Sequence, residues 1–187
     1  SCLSDQSVSG YSSGFTTFNS KGAKKRHGNG QQCKFDHFFQ SSGPGCTFVF
    51  DRAGFMFLQA YLMQKQELLS VLAHDWLIYF IFRVNDLGWY IDADSHLLYR
   101  QHSSNVAGVN SGFAAKIKRI KLLFSGWYIS DLTLLMSFAR RAGLAPRFVS
   151  PFQLRRSKVQ SLFMWLYYWC FFKNRLELDF DSESSCE

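Results

Sequence analysis

Residues 41–51 read Ser-Ser-Gly-Pro-Gly-Cys-Thr-Phe-Val-Phe-Asp, and residues 73–77 read Ala-His-Asp-Trp-Leu. Ser41 to Gly45 is a turn, and the apolar run Cys46 to Phe50 behind it reads as a buried strand. Asp51 stands where a helix cap is expected. Phe55, Leu58, Leu62 and Leu69 follow near helical spacing, which predicts a helix from 51 to about 72. His74-Asp75-Trp76 opens a second helix, ending near Leu87-Gly88 where glycine supplies the stop.

Outward from this centre the pattern thins. Trp89 to Ile91 and Leu97 to Arg100 read as two short strands around a polar turn, followed by a Ser/Asn/Gly-rich loop from Gln101 to Gly112. Helices are predicted over 113–125, 127–142 and 155–175. Upstream, residues 1–34 are rich in Ser, Gly, Lys and Asn, with a basic cluster at Lys24, Lys25 and Arg26. They read as loop, or as the remnant of a segment whose partners lie further upstream. The order is α/β in character, with too few strands for a complete sheet.

The composition sets outer limits. A chain of 187 residues with 47% hydrophobic side chains builds a sizeable core, which excludes wholesale disorder. Aromatics reach 18%, enough to suggest a partner surface or membrane contact as well as a core. Charge is unevenly spread within the net +7. From Phe113 to Arg175 there are 12 Lys or Arg against one acid, Asp131, while Leu176 to Glu187 carry five acids and no base. Such a block marks attraction to a polyanion or else a solvated helical face. Nothing beyond charge indicates nucleic acid. The five cysteines form no zinc-type pair and read as reduced thiols. No signal peptide and no apolar stretch of about 18 residues is visible.

The densest polar constellation lies between Pro44 and Asn110. Asp75, at a helix start and flanked by His74 and Trp76, is either an N-cap or a general base held by the helix N-terminus beside an aromatic wall. Arg100-Gln101-His102 leaves a strand for a Gly/Asn loop, where an Arg and a His suit diphosphate binding, or simply form a polar loop. Asp92-Ala-Asp94 spells a pattern able to hold a divalent cation, but a lone Asp-x-Asp is common by chance. No phosphate loop and no Gly-x-Ser-x-Gly is present.

Four pieces in order, Gly43 to Thr47, His74-Asp-Trp76, Tyr99-Arg-Gln-His102 and Asn105 to Asn110, resemble the second half of a bacterial family 2 glycosyltransferase, of the rhamnosyltransferase branch active in surface-polysaccharide assembly. The resemblance covers about residues 35–125. It implies a nucleotide-diphospho-sugar transferase fold of the GT-A type, incomplete, with residues 35–112 as the acceptor-side catalytic portion and 113–187 as a helical extension. It implies an inverting reaction with Asp75 as catalytic base and an acceptor site shaped by Gly45, Cys46, Thr47, His74 and Trp76. Arg100, Gln101 and His102 would close over the donor diphosphate, with His102 as an added ligand for the metal.

The family's donor half and its Asp-x-Asp metal motif should precede these elements, and Asp92-Ala-Asp94 lies on the wrong side of the base to supply it. The expectation is therefore a piece of a longer enzyme, starting just downstream of that motif, with a divalent cation (Mg or Mn) held mainly outside this chain. A nucleotide-sugar donor and a lipid-linked saccharide acceptor at the cytoplasmic face of the inner membrane complete the picture.

Val159 to Phe172 is apolar and aromatic, too short to span a bilayer, and flanked by Arg155, Arg156, Lys158, Lys173 and Arg175. It reads as an interfacial helix on anionic lipid, or as a packing helix against another part of the enzyme. The competing reading of the whole chain is a non-catalytic, membrane-associated interaction module in which Asp75 is only a cap.

Overall fold

The computed structural model describes residues 8–18, 22–28, 32, 34–100, 126–144, 158, 162, 165 and 166. Its centre is a four-stranded mixed sheet. Strand β1 (Gly10–Phe18) runs parallel to β4 (Trp89–Arg100) along its whole length. Its other edge pairs antiparallel with β2 (Lys24–His27) through Phe15 to Phe18, and with β3 (Val49–Phe50) through Gly10 and Tyr11.

This corrects the reading of residues 1–34 as loop, because the innermost strand of the sheet lies there. The Ser and Gly content that suggested a loop serves close packing. A Cβ on Gly10 would fall 2.3 Å from the Trp89 ring, so the ring lies directly on bare backbone. The Trp89 indole donates to Ser12 Oγ at 3.1 Å, and Ser12 and Ser13 are buried. Small residues here make room for a large one on the neighbouring strand.

The two short strands expected at 89–91 and 97–100 are one strand, β4. The polar stretch between them is absorbed as a register irregularity opposite Ser13, Gly14 and Phe15. Gly14 is needed there, since a Cβ would sit 2.7 Å from the His27 carbonyl oxygen. The strand expected at 46–50 is also shorter: Gly45–Thr47 form a 3-10 turn and only Val49–Phe50 pair.

The helices fare better. Asp51 caps α1 (Arg52–Gln64) as expected, its Oδ1 accepting the Gly54 N–H at 2.6 Å. A separate 3-10 turn, Gln66–Ser70, replaces the last part of the longer helix expected. Helix α2 (His74–Val84) starts where expected, and α3 (Gly126–Arg141) matches the helix expected over 127–142. The helix expected over 113–125 lies outside the described residues. Of the one expected over 155–175, Lys158, Leu162, Trp165 and Leu166 are helical.

Helix α2 is buried on most sides, with Trp76, Leu77, Tyr79, Phe80, Ile81 and Phe82 in the core beside Trp89 and Ile91. Leu132, Leu135, Met136 and Phe138 of α3 join the same core, so this part of the expected helical extension is not a separate layer. Each such side chain stabilises the fold by about 1.5–3 kcal/mol on full burial.

Candidate functional site

The start of α2 is where two of the expected pieces meet. The Gly45–Thr47 turn lies against it so closely that a Cβ on Gly45 would stand 3.1 Å from His74 Nε2 and 3.3 Å from Asp75 Cβ. The turn is closed by Thr47, whose N–H and hydroxyl both donate to the Pro44 carbonyl at 2.9 Å. Thr47 is buried, while Cys46 is an exposed free thiol and His74 is exposed.

Asp75 is half-buried in the first turn of α2, and its Oδ1 accepts the Trp76 N–H at 2.9 Å. It is not the N-cap: that position is Ala73, which offers no side-chain acceptor. The second carboxylate oxygen makes no hydrogen bond among the described residues. A carboxylate held at one oxygen, at the positive end of a helix, is oriented and still has an acceptor to offer.

The orphan donors ahead of α2 are met from a distance. Asp131 of α3, buried to 2% exposure, accepts the Leu72 and Ala73 N–H groups through its two oxygens, each at 3.2 Å. The entry to α2 is therefore anchored from another helix, about sixty positions along the chain, while the first-turn Trp76 N–H is met by Asp75. The sequence carried one signal of this residue, its being the lone acid in a basic stretch, and charge counting alone did not say what it does.

Trp76 is placed in the core, not at the surface of the corner. It is 3% exposed, its indole donates to the His37 carbonyl at 2.8 Å, and its ring stacks on Tyr128 with centroids 5.2 Å apart. Tyr128 in turn donates to the Phe39 carbonyl at 3.0 Å. Trp76 thus anchors the first turn of α2 to α3 from behind. Arg100 ends β4 in register with Phe18 and is exposed. Gln101 and His102 lie outside the described residues, as do Asn105 to Asn110.

A second polar cluster, which the sequence did not reveal, holds the other end of α2. Fully buried Asp36 accepts the Tyr79 hydroxyl at 3.1 and 3.2 Å and lies 3.7 Å from Arg83 Nη1. Arg83 also donates to Tyr79 at 2.9 Å and to Gln32. Neighbouring His37 is buried, and its Nδ1 has no hydrogen-bond partner among the described residues. Burial, and then the Arg83 charge, lower its pKa from 6.5 to about 3, so it is neutral at physiological pH. His37 and Arg83 line a cavity of about 670 Å3 together with Lys34, Phe35, Trp89 and Tyr90.

Asp92 and Asp94 do not converge. Asp94 pairs with Arg26 at 2.5 Å, whereas Asp92 accepts from Tyr11 at 2.9 Å and lies 3.1 Å from His96 Nε2. The Asp94 N–H, followed by Tyr11 and His96, holds Asp92 below its ordinary pKa. Among the described residues no group of three His, Cys, Asp or Glu gathers to hold a metal ion.

With this geometry in hand, the chain is similar to a rhamnosyltransferase-like glycosyltransferase, as the order of its motifs led us to expect. The relative is the dTDP-rhamnosyl transferase RfbG of Shigella flexneri, 34% identical over 134 residues, which make up 71% of this chain and 46% of the relative. The chain thus spans about half the length of the curated relative it matches. No family model and no solved structure matches it. A mixed sheet flanked by helices is compatible with such a relative.

Proposed function

We propose that this chain is the acceptor side of an inverting glycosyltransferase of the GT-A type and family 2, transferring rhamnose or another deoxyhexose from a dTDP-sugar donor. The acceptor is a lipid-linked saccharide of O-antigen or another polysaccharide, met at the cytoplasmic face of the inner membrane. The observation that carries this reading is the corner where Gly45 packs on His74 and Asp75 and leaves one Asp75 carboxylate oxygen without a partner among the described residues. Similarity to a dTDP-rhamnosyl transferase over 134 residues supports the same class.

In the reaction Asp75 accepts the proton of an acceptor hydroxyl. The freed oxygen attacks the anomeric carbon from the face opposite the diphosphate. The new C–O bond forms as the bond to the diphosphate breaks, and the nucleotide diphosphate leaves with its electron pair. The Trp76 N–H holds Asp75 in one rotamer, and Asp131 fixes the turn before it, so the base is positioned in advance. His74 and the exposed side of the Gly45–Thr47 turn face the acceptor. Arg100, Gln101 and His102 meet the donor diphosphate through charge-assisted hydrogen bonds.

The test uses the full-length enzyme. Asp75→Asn should abolish sugar transfer while leaving binding of the dTDP-sugar, measured by calorimetry, nearly intact. Unchanged turnover would remove Asp75 from the base role.

A further inference from the structure

We propose that Tyr128 of α3 is a positioning residue for sugar transfer, setting the place of Asp75 through the ring of Trp76. The inference goes beyond the assignment of Asp75 as base and rests on it. Tyr128 and Asp131 stand three apart on α3 and so share a face. That face grips α2 on both sides of its entry. Asp131 accepts the Leu72 and Ala73 N–H groups ahead of it, and the Tyr128 ring stacks on Trp76 behind it, with planes 18° apart. His74 and Asp75 are the two residues between these fixings.

The stacked pair is itself locked. The Tyr128 hydroxyl donates to the Phe39 carbonyl at 3.0 Å, and the Trp76 indole donates to the His37 carbonyl at 2.8 Å. Both acceptors belong to one 3-10 turn, Asp36–Phe38 with its cap Phe39. The two rings are buried, pressed face to face and held at their polar ends, which leaves them one arrangement in a close-packed core.

The main-chain N–H of the same Trp76 is the donor to Asp75 Oδ1. A shift of the Trp76 ring carries that donor with it and re-aims the carboxylate. A general base acts only within hydrogen-bond reach of its proton, and a misplacement of about 1 Å costs on the order of 100-fold. An aliphatic side chain at 128 fills space but offers the indole no flat face to rest on. Phe138, ten positions along α3, provides the contrast. It is equally buried, yet packs edge-on against Tyr61 and Phe80, beyond the first turn of α2.

The test uses the full-length enzyme and follows labelled rhamnose from dTDP-rhamnose into the lipid fraction of acceptor-bearing membranes. Rates are scaled to the folded fraction from urea unfolding, and kcat is separated from the donor KM. Tyr128→Met should lower kcat by roughly ten- to one-hundred-fold with the donor KM held within about two-fold. Tyr128→Phe keeps the stacked face and should restore most of the rate. Phe138→Met should lower the urea midpoint comparably while kcat stays within about two-fold of the wild type.

Equal losses of kcat in Tyr128→Met and Phe138→Met, or a raised KM with kcat unchanged, would overturn the proposal. Tyr128→Leu is the second variant, and failure of both to fold would assign Tyr128 to the fold alone, overturning it as well. The underlying reading fails separately. Unchanged turnover in Asp75→Asn removes the base and this proposal with it, whereas an inactive Asp75→Asn beside a fully active Tyr128→Met removes this proposal only.

Discussion

The two ends of α2 are built in opposite ways. At its C-terminal end Arg83, Tyr79 and Asp36 satisfy one another behind a buried wall. At its N-terminal end Asp75 gives one oxygen to the Trp76 N–H, and the backbone leading into the helix is held by Asp131 of another helix. With the entry held by Asp131, the second oxygen of Asp75 is left open among the described residues. A carboxylate required for stability would be spent where it stands; one required for chemistry is oriented and left open.

Breaking each end separately should therefore give different failures. The largest effect is expected at Asp75. Asp75→Asn in the full-length enzyme should lower the rate of transfer by about 100- to 10,000-fold, the usual contribution of a general base, with the urea midpoint nearly unchanged. A large stability loss would instead put Asp75 with the structural end.

Asp36→Ala should do the reverse. It leaves Arg83 beside an emptied, buried site and should destabilise the fold by about 3–5 kcal/mol, read from urea unfolding. Asp131→Ala removes two charge-assisted bonds to backbone N–H groups and should cost about 2–3 kcal/mol. It should also slow transfer, because the turn bearing Asp75 loses its anchor. A loss of stability with full activity would show that this anchor serves the fold alone.

His37 makes the structural end sensitive to acid. Its folded pKa of about 3 lies below the unfolded value of 6.5, so the unfolded chain binds the proton more tightly. Its contribution is fully present above pH 6.5 and is lost as the pH falls towards 3, at up to about 1.4 kcal/mol per pH unit. Unfolding curves of His37→Phe between pH 7 and 4 should be flatter than those of the wild type; equal slopes would refute this.

The smallest change is expected from Gly45→Ala. The new methyl group presses on His74, which is exposed and able to shift, and on Asp75 Cβ, which is less free. Stability should fall by less than about 1 kcal/mol, while transfer slows by roughly ten-fold through displacement of the base. Unimpaired transfer would show that the turn does not position Asp75.

Much of the candidate site was legible because its signals are local. Asp51 as a cap, the helix start at His74 and the Gly-rich turn all follow from neighbours in sequence. The family resemblance implied one acceptor site for Gly45 and Asp75, and in the structure the two residues pack together. What escaped was non-local. Gly10–Phe18 looked like a loop because small residues in an inner strand make sense only once Trp89 is known to lie over them. Trp76 looked like a wall of the acceptor site because its burial under Tyr128 depends on a helix fifty residues away.

The sequence by itself determined the starts of α1 and α2, the course of α3 and the presence of an acid in the first turn of α2, since capping and hydrophobic period act over a few residues. Tertiary structure alone decided that β1 is the inner strand, that Asp131 anchors the entry to α2, and that Asp36, His37 and Arg83 share a buried cluster. Those outcomes depend on which distant groups must be desolvated together, and a buried polar group is stable only where the fold brings it a partner.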